Sequence, residues 1–305
     1  MKGIVIKSTG SWYTVETTQG MEVQCTIRGT FRLKESDVTN PVVVGDNVEI
    51  EISKDGSGVI TNILPRKNYI IRKSKKLSKQ SQILAANINR AFLVATISQP
   101  KTSTGFIDRY LVTAEAYSIP ATLIFNKSDL YTEEETEYQI ELSKMYESIG
   151  YTTLLISSIN KADADKLRRI LSPGINLFSG HSGVGKSTLL NALNPDLNLK
   201  TTKISDQHLT GQHTTTFAEM HKLREGVYII DTPGIREFGM YDFSKNEISH
   251  YFPEMRQLLN KCRFDNCMHI HEPGCAVKEA VDTDKIALTR YNNYLSMVEG
   301  KDFYI

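Results

Sequence analysis

Long apolar runs are missing from this sequence, and none approaches the roughly 20 residues that a membrane-spanning helix needs. The first residues, Met-Lys-Gly-Ile-Val-Ile, give way to polar ones too soon for a secretory signal. An excess of one charge is also missing, because 36 lysines and arginines stand against 35 aspartates and glutamates. Overall charge therefore indicates no polyanionic partner. These absences argue against a membrane protein, and we expect a soluble, cytoplasmic one.

Cysteine is scarce, with four in 305 residues, which argues against a disulfide-stabilised scaffold. Three of the four form the pattern Cys262-x4-Cys267-x-His269-x5-Cys275 with one histidine. Three thiolates and an imidazole suit tetrahedral Zn²⁺, and four protein ligands leave no open position for catalysis. We therefore predict one structural zinc site. His271 in place of His269, or free thiols without a metal, are the alternatives.

Residues 1–65 contain five short runs rich in β-branched and aromatic residues, punctuated by glycines. This pattern predicts a small all-β barrel of the OB type, and an SH3-like barrel fits it as well. The next stretch, 66–79, has no acidic residue and seven basic ones: Arg66, Lys67, Arg72, Lys73, Lys75, Lys76 and Lys79. It is either a solvated linker or, beside an OB-type barrel, a nucleic-acid contact.

Between residues 90 and 231 the pattern becomes α/β. Apolar strands are predicted at 91–97, 121–125, 153–156, 175–178 and 227–230. Helices are predicted between them at 107–118, 133–149, 162–171 and 186–193. Such alternation is typical of a parallel sheet covered by helices on both faces. After residue 240 the chain is predicted to be helical around the cysteines, with a final helix at 286–298.

A phosphate-binding loop is predicted where strand 175–178 leads into helix 186–193. The segment fits the pattern G-x-x-x-x-G-K-S, in which glycines let backbone N–H groups approach phosphate oxygens. Its residues are Gly180, His181, Ser182, Gly183, Val184, Gly185, Lys186 and Ser187, followed by Thr188. We expect Lys186 to contact the β- and γ-phosphates and to assist catalysis, and the Ser187 hydroxyl to ligate Mg²⁺.

Guanine recognition is predicted at Asn126-Lys127-Ser128-Asp129, which follows strand 121–125. The Asp129 carboxylate can accept hydrogen bonds from guanine N1–H and the 2-amino group, whereas adenine would leave that charge unpaired. Ser157 and Ser158 follow the next strand and are candidates to complete the base pocket. A simple turn is the alternative for either segment.

A further nucleotide motif, Asp231-Thr-Pro-Gly234, ends the strand at 227–230. We expect Asp231 to hold Mg²⁺ through water and the Gly234 N–H to sense the γ-phosphate. Either Thr214 or Thr215, in the polar loop upstream, is expected to complete the Mg²⁺ shell. Ile235 stands where a Ras-like enzyme has the glutamine that orients water. His213 is the nearest polar candidate for that catalytic role.

The order of these motifs is permuted, because the guanine segment precedes the phosphate loop and the Asp231 motif. With the N-terminal barrel and the sequence Cys267-Met-His-Ile-His-Glu-Pro-Gly-Cys275, the chain resembles the bacterial circularly permuted GTPases of small ribosomal subunit biogenesis. The segment 211–215, Gly-Gln-His-Thr-Thr, looks like that family's switch loop, with Gln212 where we expect arginine.

The resemblance implies slow GTP hydrolysis that the small subunit stimulates, a hydrophobic residue in place of the catalytic glutamine, and ribosomal RNA as partner. We expect an OB-fold domain at 1–65, a circularly permuted GTPase domain at 66–240 and a helical zinc domain at 241–305, in a monomer. Loss of the γ-phosphate is expected to move the zinc domain at 241–305, called the tail below, relative to the rest of the protein. The rival hypothesis is an RNA- or ribosome-binding factor for which GTP is mainly a regulatory ligand.

Overall fold

The structure, a computed structural model, describes residues 1–28, 41–73, 81–199, 219–231 and 244–300. Its strands are β1 (Lys2–Ser8), β2 (Tyr13–Thr17), β3 (Glu22–Ile27), β4 (Asn47–Ile52), β5 (Gly58–Ile63), β6 (Tyr69–Lys73), β7 (Ser81–Ala86), β8 (Ile88–Ala95), β9 (Ala121–Phe125), β10 (Thr152–Leu155), β11 (Gly174–Ser179), β12 (Glu219–Arg224) and β13 (Val227–Asp231). Its α-helices are α1 (Thr104–Ala116), α2 (Glu133–Ile149), α3 (Lys161–Ile170), α4 (Lys186–Leu193), α5 (Pro253–Arg256), α6 (Ala276–Asp282) and α7 (Leu288–Glu299). Within these residues no helix has the length and apolar character that a bilayer span requires.

The N-terminal strands form a closed barrel in the order β1-β2-β3-β5-β4, with β4 returning to pair with β1. Strands β3 and β5 run parallel, and the other neighbours are antiparallel. This Greek-key arrangement is that of the OB fold, so it decides between the two predicted barrels. Side chains that alternate inward fill the core, and its most buried members on the strands are Val5, Tyr13, Val15, Cys25, Val48, Ile50 and Ile60.

The described chain divides into two compact units, and the first contains residues 1–92 and 158–237. In it β11 pairs with β13 in parallel, β13 with β12 antiparallel, and β12 with β1 of the barrel at Lys7 and Glu219. The antiparallel β12 corrects the predicted all-parallel sheet, and it was not predicted as a strand. Because β12 lies between β13 and β1, backbone hydrogen bonds join the barrel to the sheet that contains β11 and β13.

A buried carboxylate strengthens this junction in the first unit. Glu16, on β2, is 8% exposed. It accepts hydrogen bonds from the Lys222 ammonium at 2.5 Å and from the Tyr228 hydroxyl at 3.0 Å. Its partners lie on β12 and β13, so the barrel is held to both of these strands by side chains as well as backbone.

The basic stretch after the barrel is partly structural. Arg66 donates hydrogen bonds to both oxygens of the fully buried Asp46, at 2.7 and 2.8 Å, and to the Pro41 carbonyl. Its guanidinium therefore stabilises the fold through these hydrogen bonds and does not act as a nucleic-acid contact. Residues 69–73 form a hairpin with β7 instead of a linker. The predicted basic residues Lys75, Lys76 and Lys79 lie outside the described residues.

The second compact unit contains residues 93–157 and 238–305. Its strands β9 and β10 pair in parallel, as predicted. Helix α1 begins at Thr104, earlier than predicted, because the Ser103 side chain caps its first turn. The C-terminal tail packs on this helix through a core that contains Val112 of α1 and, from the tail, Ile248, Phe252, Met255, Val277, Tyr294 and Met297. The tail thus shares a core with the helix that precedes the guanine segment.

An ionic network lies inside the second unit. The Arg290 side chain, on α7, is fully buried. It donates to Asp108 of α1 at 2.6 Å and to Glu254 of α5 at 2.7 and 3.1 Å. Asp108 also accepts from Asn293 at 2.6 Å and from the Tyr146 hydroxyl at 2.7 Å. Burial raises the pKa of the Asp108 carboxyl, and the neighbouring guanidinium opposes that shift.

Candidate nucleotide and metal sites

The predicted phosphate loop occupies the turn between β11 and α4 in the first unit. Gly183 and Gly185 have φ of 84° and 87°, a region that side chains with a Cβ rarely adopt. Helix α4 begins directly after Gly185, so Lys186, Ser187 and Thr188 lie in its first turn. The N-terminus of a helix presents free N–H groups and partial positive charge, which favours phosphate.

The structure brings Lys186 together with Asp231 in this loop. Lys186 is 9% exposed, and its ammonium forms an ion pair with the Asp231 carboxylate at the end of β13. The parallel pairing of β11 with β13 places Phe178 opposite Asp231, which brings the end of β13 to the start of the loop. Lys186 of the first motif and Asp231 of the second are thus adjacent, and their roles toward phosphate and Mg²⁺ stay a prediction.

The guanine segment of the second unit leaves β9 in a constrained turn. Asn126 is fully buried, and its N–H donates to the Ala95 carbonyl at the end of β8, at 2.9 Å. Lys127 adopts φ of 67°, and its ammonium donates to the Gln99 carbonyl at 2.5 Å. Partial burial lowers the pKa of this ammonium. Asp129 lies in a short 3-10 turn and is exposed, so its carboxylate is accessible to a base.

The end of β10 contacts the guanine segment directly. Both the N–H and the hydroxyl of Ser128 donate to the Ile156 carbonyl, at 3.1 and 2.9 Å. Ser157 and Ser158 follow, and both are buried. Ser157 is the last residue of the stretch 93–157 in the second unit, and Ser158 is the first residue of the stretch 158–237 in the first unit. The remaining predicted nucleotide residues, His213, Thr214, Thr215 and Gly234, lie outside the described residues, as does Ile235.

Four potential metal ligands converge in the tail: Cys262, Cys267, His269 and Cys275, whose ligand atoms all lie within 4.8 Å of one another. Two Sγ atoms, of Cys262 and Cys275, are 4.0 Å apart, and His269 Nδ1 lies 3.6 and 3.4 Å from them. In a zinc tetrahedron these edges would be about 3.8 Å between sulfurs and about 3.5 Å between nitrogen and sulfur. The donor set fits Zn²⁺, and exposed His271 is not part of the cluster.

Two thiols of this cluster, those of Cys267 and Cys275, need a cation to ionise at neutral pH. Burial raises the pKa of Cys267 to about 12 and raises that of Cys275, while burial lowers the pKa of the His269 imidazole. A neutral imidazole is ready to ligate, but the thiols of Cys267 and Cys275 stay protonated at neutral pH without a metal. A bound Zn²⁺ reverses this preference because it stabilises the thiolates directly.

Glu272 supports the metal-binding loop, and the sequence patterns did not single it out. Its carboxylate accepts hydrogen bonds from the backbone N–H groups of Met268, Ile270 and His271 at 2.8, 2.9 and 3.0 Å. These bonds lower its pKa to about 2, although burial opposes the shift. The sequence contains one indication of this role, an acidic residue between His269 and Cys275. Only the folded loop shows which backbone N–H groups donate to that residue.

Comparison with known proteins covers nearly the whole chain. Residues 2–60 match the family model described as RsgA N-terminal domain, and residues 63–241 match RsgA GTPase. The Small ribosomal subunit biogenesis GTPase RsgA of Phocaeicola vulgatus is 51% identical over 302 residues, which are 99% of this chain and 97% of that relative. The protein of the same name from Flavobacterium psychrophilum is 52% identical over 305 residues, covering 99% of this chain and 94% of its own.

Solved structures give the same answer. The crystal structure of YjeQ from Thermotoga maritima is 36% identical and superposes with a TM-score of 0.81, covering 98% of this chain and 97% of that one. The structure of YloQ, described as a circularly permuted GTPase, is 30% identical with a TM-score of 0.77, covering 98% and 94%. These similarities confirm the predicted combination of barrel and permuted GTPase fold. With a family model that matches residues 63–241 and relatives that are 51% and 52% identical over their length, the chain belongs to the RsgA family of GTPases.

Proposed function

We propose that this protein hydrolyses GTP as a late maturation factor of the small ribosomal subunit, and that the subunit stimulates its turnover. The observation that carries the proposal is the identity over 99% of the chain to relatives named small ribosomal subunit biogenesis GTPase. The OB-type barrel and the zinc tail are the parts proposed to bind ribosomal RNA. The same role implies a cytoplasmic protein, which we propose acts as a monomer.

In the proposed reaction a water oxygen attacks the γ-phosphorus in line with the bond to the β–γ bridging oxygen. That bond breaks, GDP keeps the bridging oxygen, and the water's protons pass to the phosphate and to solvent. Lys186 and the N–H groups of the phosphate loop stabilise the charge that develops on the phosphate oxygens. Asp129 and the segment from Asn126 hold the guanine base.

Mg²⁺ is proposed to bind through Ser187, Asp231 and either Thr214 or Thr215, and it neutralises negative charge on the β- and γ-phosphates when bound. The support is the ion pair of Lys186 with Asp231, which puts a carboxylate next to the phosphate loop. Gly234 is proposed to sense the γ-phosphate. Ile235 has no polar atom to orient water, so we assign that task to His213.

The test is GTP turnover with and without purified small subunits, for the wild-type protein and for His213→Ala. We expect the subunits to raise the wild-type rate at least tenfold over a slow intrinsic rate, and His213→Ala to lose most of that stimulation, since positioned acid–base groups contribute about 10²–10⁴-fold. Unstimulated turnover, together with binding of the GTP form to subunits, would support a nucleotide-regulated binding factor instead. Wild-type stimulation in His213→Ala would remove only the role given to His213.

The cysteine cluster is proposed to hold one structural Zn²⁺ through Cys262, Cys267, His269 and Cys275. We expect Cys267→Ala to lose the metal and to unfold the tail, because metal binding supplies folding free energy to small domains. Zinc content per chain, measured by elemental analysis, should fall from one to near zero. His271→Ala is the matched control, since it removes an exposed histidine of the same loop and should keep one zinc. Zinc loss in the control would reverse the assignment of the imidazole ligand.

Zinc binding should also be strongly pH-dependent. Cys267 and Cys275 have raised pKa values and remain protonated before the metal binds, so binding must release at least two protons at neutral pH. Affinity should therefore fall as the pH is lowered. Calorimetry in buffers of different ionisation enthalpy would measure the number of protons released.

A further inference from the structure

A tyrosine that no nucleotide motif includes is bonded to the guanine segment. Tyr131 follows the 3-10 turn that carries Asp129, and its side chain reaches back to Asn126. Its hydroxyl donates to the Asn126 carbonyl at 2.5 Å and accepts from the Ile97 N–H at 2.9 Å. A phenol has one hydrogen to donate and lone pairs to accept, so both of these roles are satisfied together. The chain after β8 and the chain after β9 therefore meet at one oxygen.

Both groups that the hydroxyl joins belong to buried residues. Asn126 is fully buried, and Ile97 is 8% exposed. A buried backbone N–H or carbonyl without a partner costs about 1–3 kcal/mol. Burial also raises the pKa of the Tyr131 hydroxyl, which keeps its proton available for the Asn126 carbonyl. The bridge is consequently part of the protein throughout the neutral pH range.

A second side chain also forms hydrogen bonds with the guanine segment and the residue before it. Gln139, on α2, is 1% exposed, and its amide donates to the Phe125 carbonyl at 3.4 Å and to the Ser128 hydroxyl at 3.2 Å. The Ser128 hydroxyl in turn donates a hydrogen bond to the Ile156 carbonyl. The segment is thus fixed at Asn126 by Tyr131 and at Ser128 by Gln139, on either side of Lys127.

We infer that Tyr131 is a positioning residue for guanine selectivity: its hydroxyl fixes the turn that aims the Asp129 carboxylate at the base. The inference rests on the proposed guanine site. Recognition of guanine needs two hydrogen bonds to one carboxylate, from N1–H and from the 2-amino group. Two parallel bonds demand a defined orientation, whereas hypoxanthine, which lacks the 2-amino group, makes only one.

Tyr131→Phe tests this assignment because it keeps the ring and removes only the oxygen. We expect the dissociation constant for GDP to rise about tenfold and that for IDP to rise less than about threefold, so the preference for GDP over IDP shrinks. Titration of the full-length protein with fluorescent GDP, displaced by unlabelled GDP or IDP, measures both constants. In an Asp129→Ala background the same substitution should leave the GDP/IDP ratio unchanged, since the carboxylate it aims is gone.

Tyr138→Phe is the matched control. That tyrosine is 41% exposed on α2, and its loss of a hydroxyl should leave both constants at the wild-type value. Equal weakening of GDP and IDP binding by Tyr131→Phe, or no weakening of either, would overturn the inference. If the wild-type protein itself fails to prefer GDP over IDP and ADP, the proposed guanine site is wrong, which is a separate result.

Discussion

Lys186→Ala is expected to lower kcat for GTP hydrolysis by about 10²–10³-fold, in the presence of small subunits as well as without them. The ammonium is the cation that the phosphate loop presents at its helix end, where it is 9% exposed and hence only weakly screened by water. Loss of one preorganised donor to a developing oxyanion costs about this factor in other enzymes. The substitution also leaves the Asp231 carboxylate without the ammonium that balances it.

The measurement is steady-state phosphate release at saturating GTP, together with the dissociation constants for GDP and GTP. Lys166→Ala is the matched control, because that lysine, on α3 in the same unit, pairs with Asp163 while its side chain is 59% exposed. It should hydrolyse GTP at the wild-type rate. A Lys186→Ala protein within tenfold of wild type would show that the loop binds phosphate without catalytic help from the lysine.

Arg290→Ala should reduce the free energy of unfolding by about 3–5 kcal/mol, the usual cost of removing one partner from a buried ion pair. Two carboxylates, Asp108 and Glu254, would lose their common cation inside the protein. The guanidinium also packs against the ring of Phe252, with 4.5 Å from its central carbon to the ring centroid, so aromatic contact is lost too. Chemical denaturation monitored by circular dichroism measures the change.

The control for this experiment is Arg256→Ala. That arginine also joins the tail to α1, through Glu115 at 3.0 Å, but its side chain is 50% exposed. Exposed ion pairs contribute only about 0–1 kcal/mol, so the two arginines should differ several-fold in effect. Similar losses for both would mean that burial does not set the importance of the Arg290 network.

The defect in Arg290→Ala should also depend on pH in a defined direction. Burial raises the pKa of Asp108 in the folded protein, and without Arg290 nothing in that pair opposes the shift. The folded state then binds a proton that the unfolded state releases, so stability falls as the pH rises. The variant should therefore be closest to wild type in acid and furthest from it at neutral pH. A loss that is constant from pH 4 to pH 8 would contradict this account.

Local patterns predicted the barrel, the loop between β11 and α4 and the cluster of three cysteines with His269, because each pattern lies within one short stretch of the sequence. Strand β12 escaped prediction because Glu-Met-His-Lys-Leu-Arg has no β-branched residue and no apolar alternation. It is a strand because β13 and β1 offer it hydrogen-bonding partners on its two sides. Local propensity gives way to tertiary pairing there.

Long-range partners account for the other surprises. Arg66 reads as one more positive charge in a basic stretch, yet it is bound to Asp46, twenty residues earlier. Tyr131 carries no motif, and its role depends on Ile97 and Asn126 coming together at the ends of two strands. The charge and spacing of residues along the sequence do not indicate such contacts. The sequence therefore indicates which residues are candidates for binding, whereas the side chains that hold those residues in place become visible only in the fold.

The chain order led us to expect that the tail responds to γ-phosphate loss, and the packing offers a second hypothesis. The barrel shares its unit with the phosphate loop and is bonded to β12, whereas the tail shares its unit with the guanine segment. GTP and GDP carry the same base and differ only in phosphate. On this hypothesis the barrel would distinguish the two nucleotides, and the tail would register that either of them is bound. The phosphates and the base of a single nucleotide would then influence two different parts of the permuted chain.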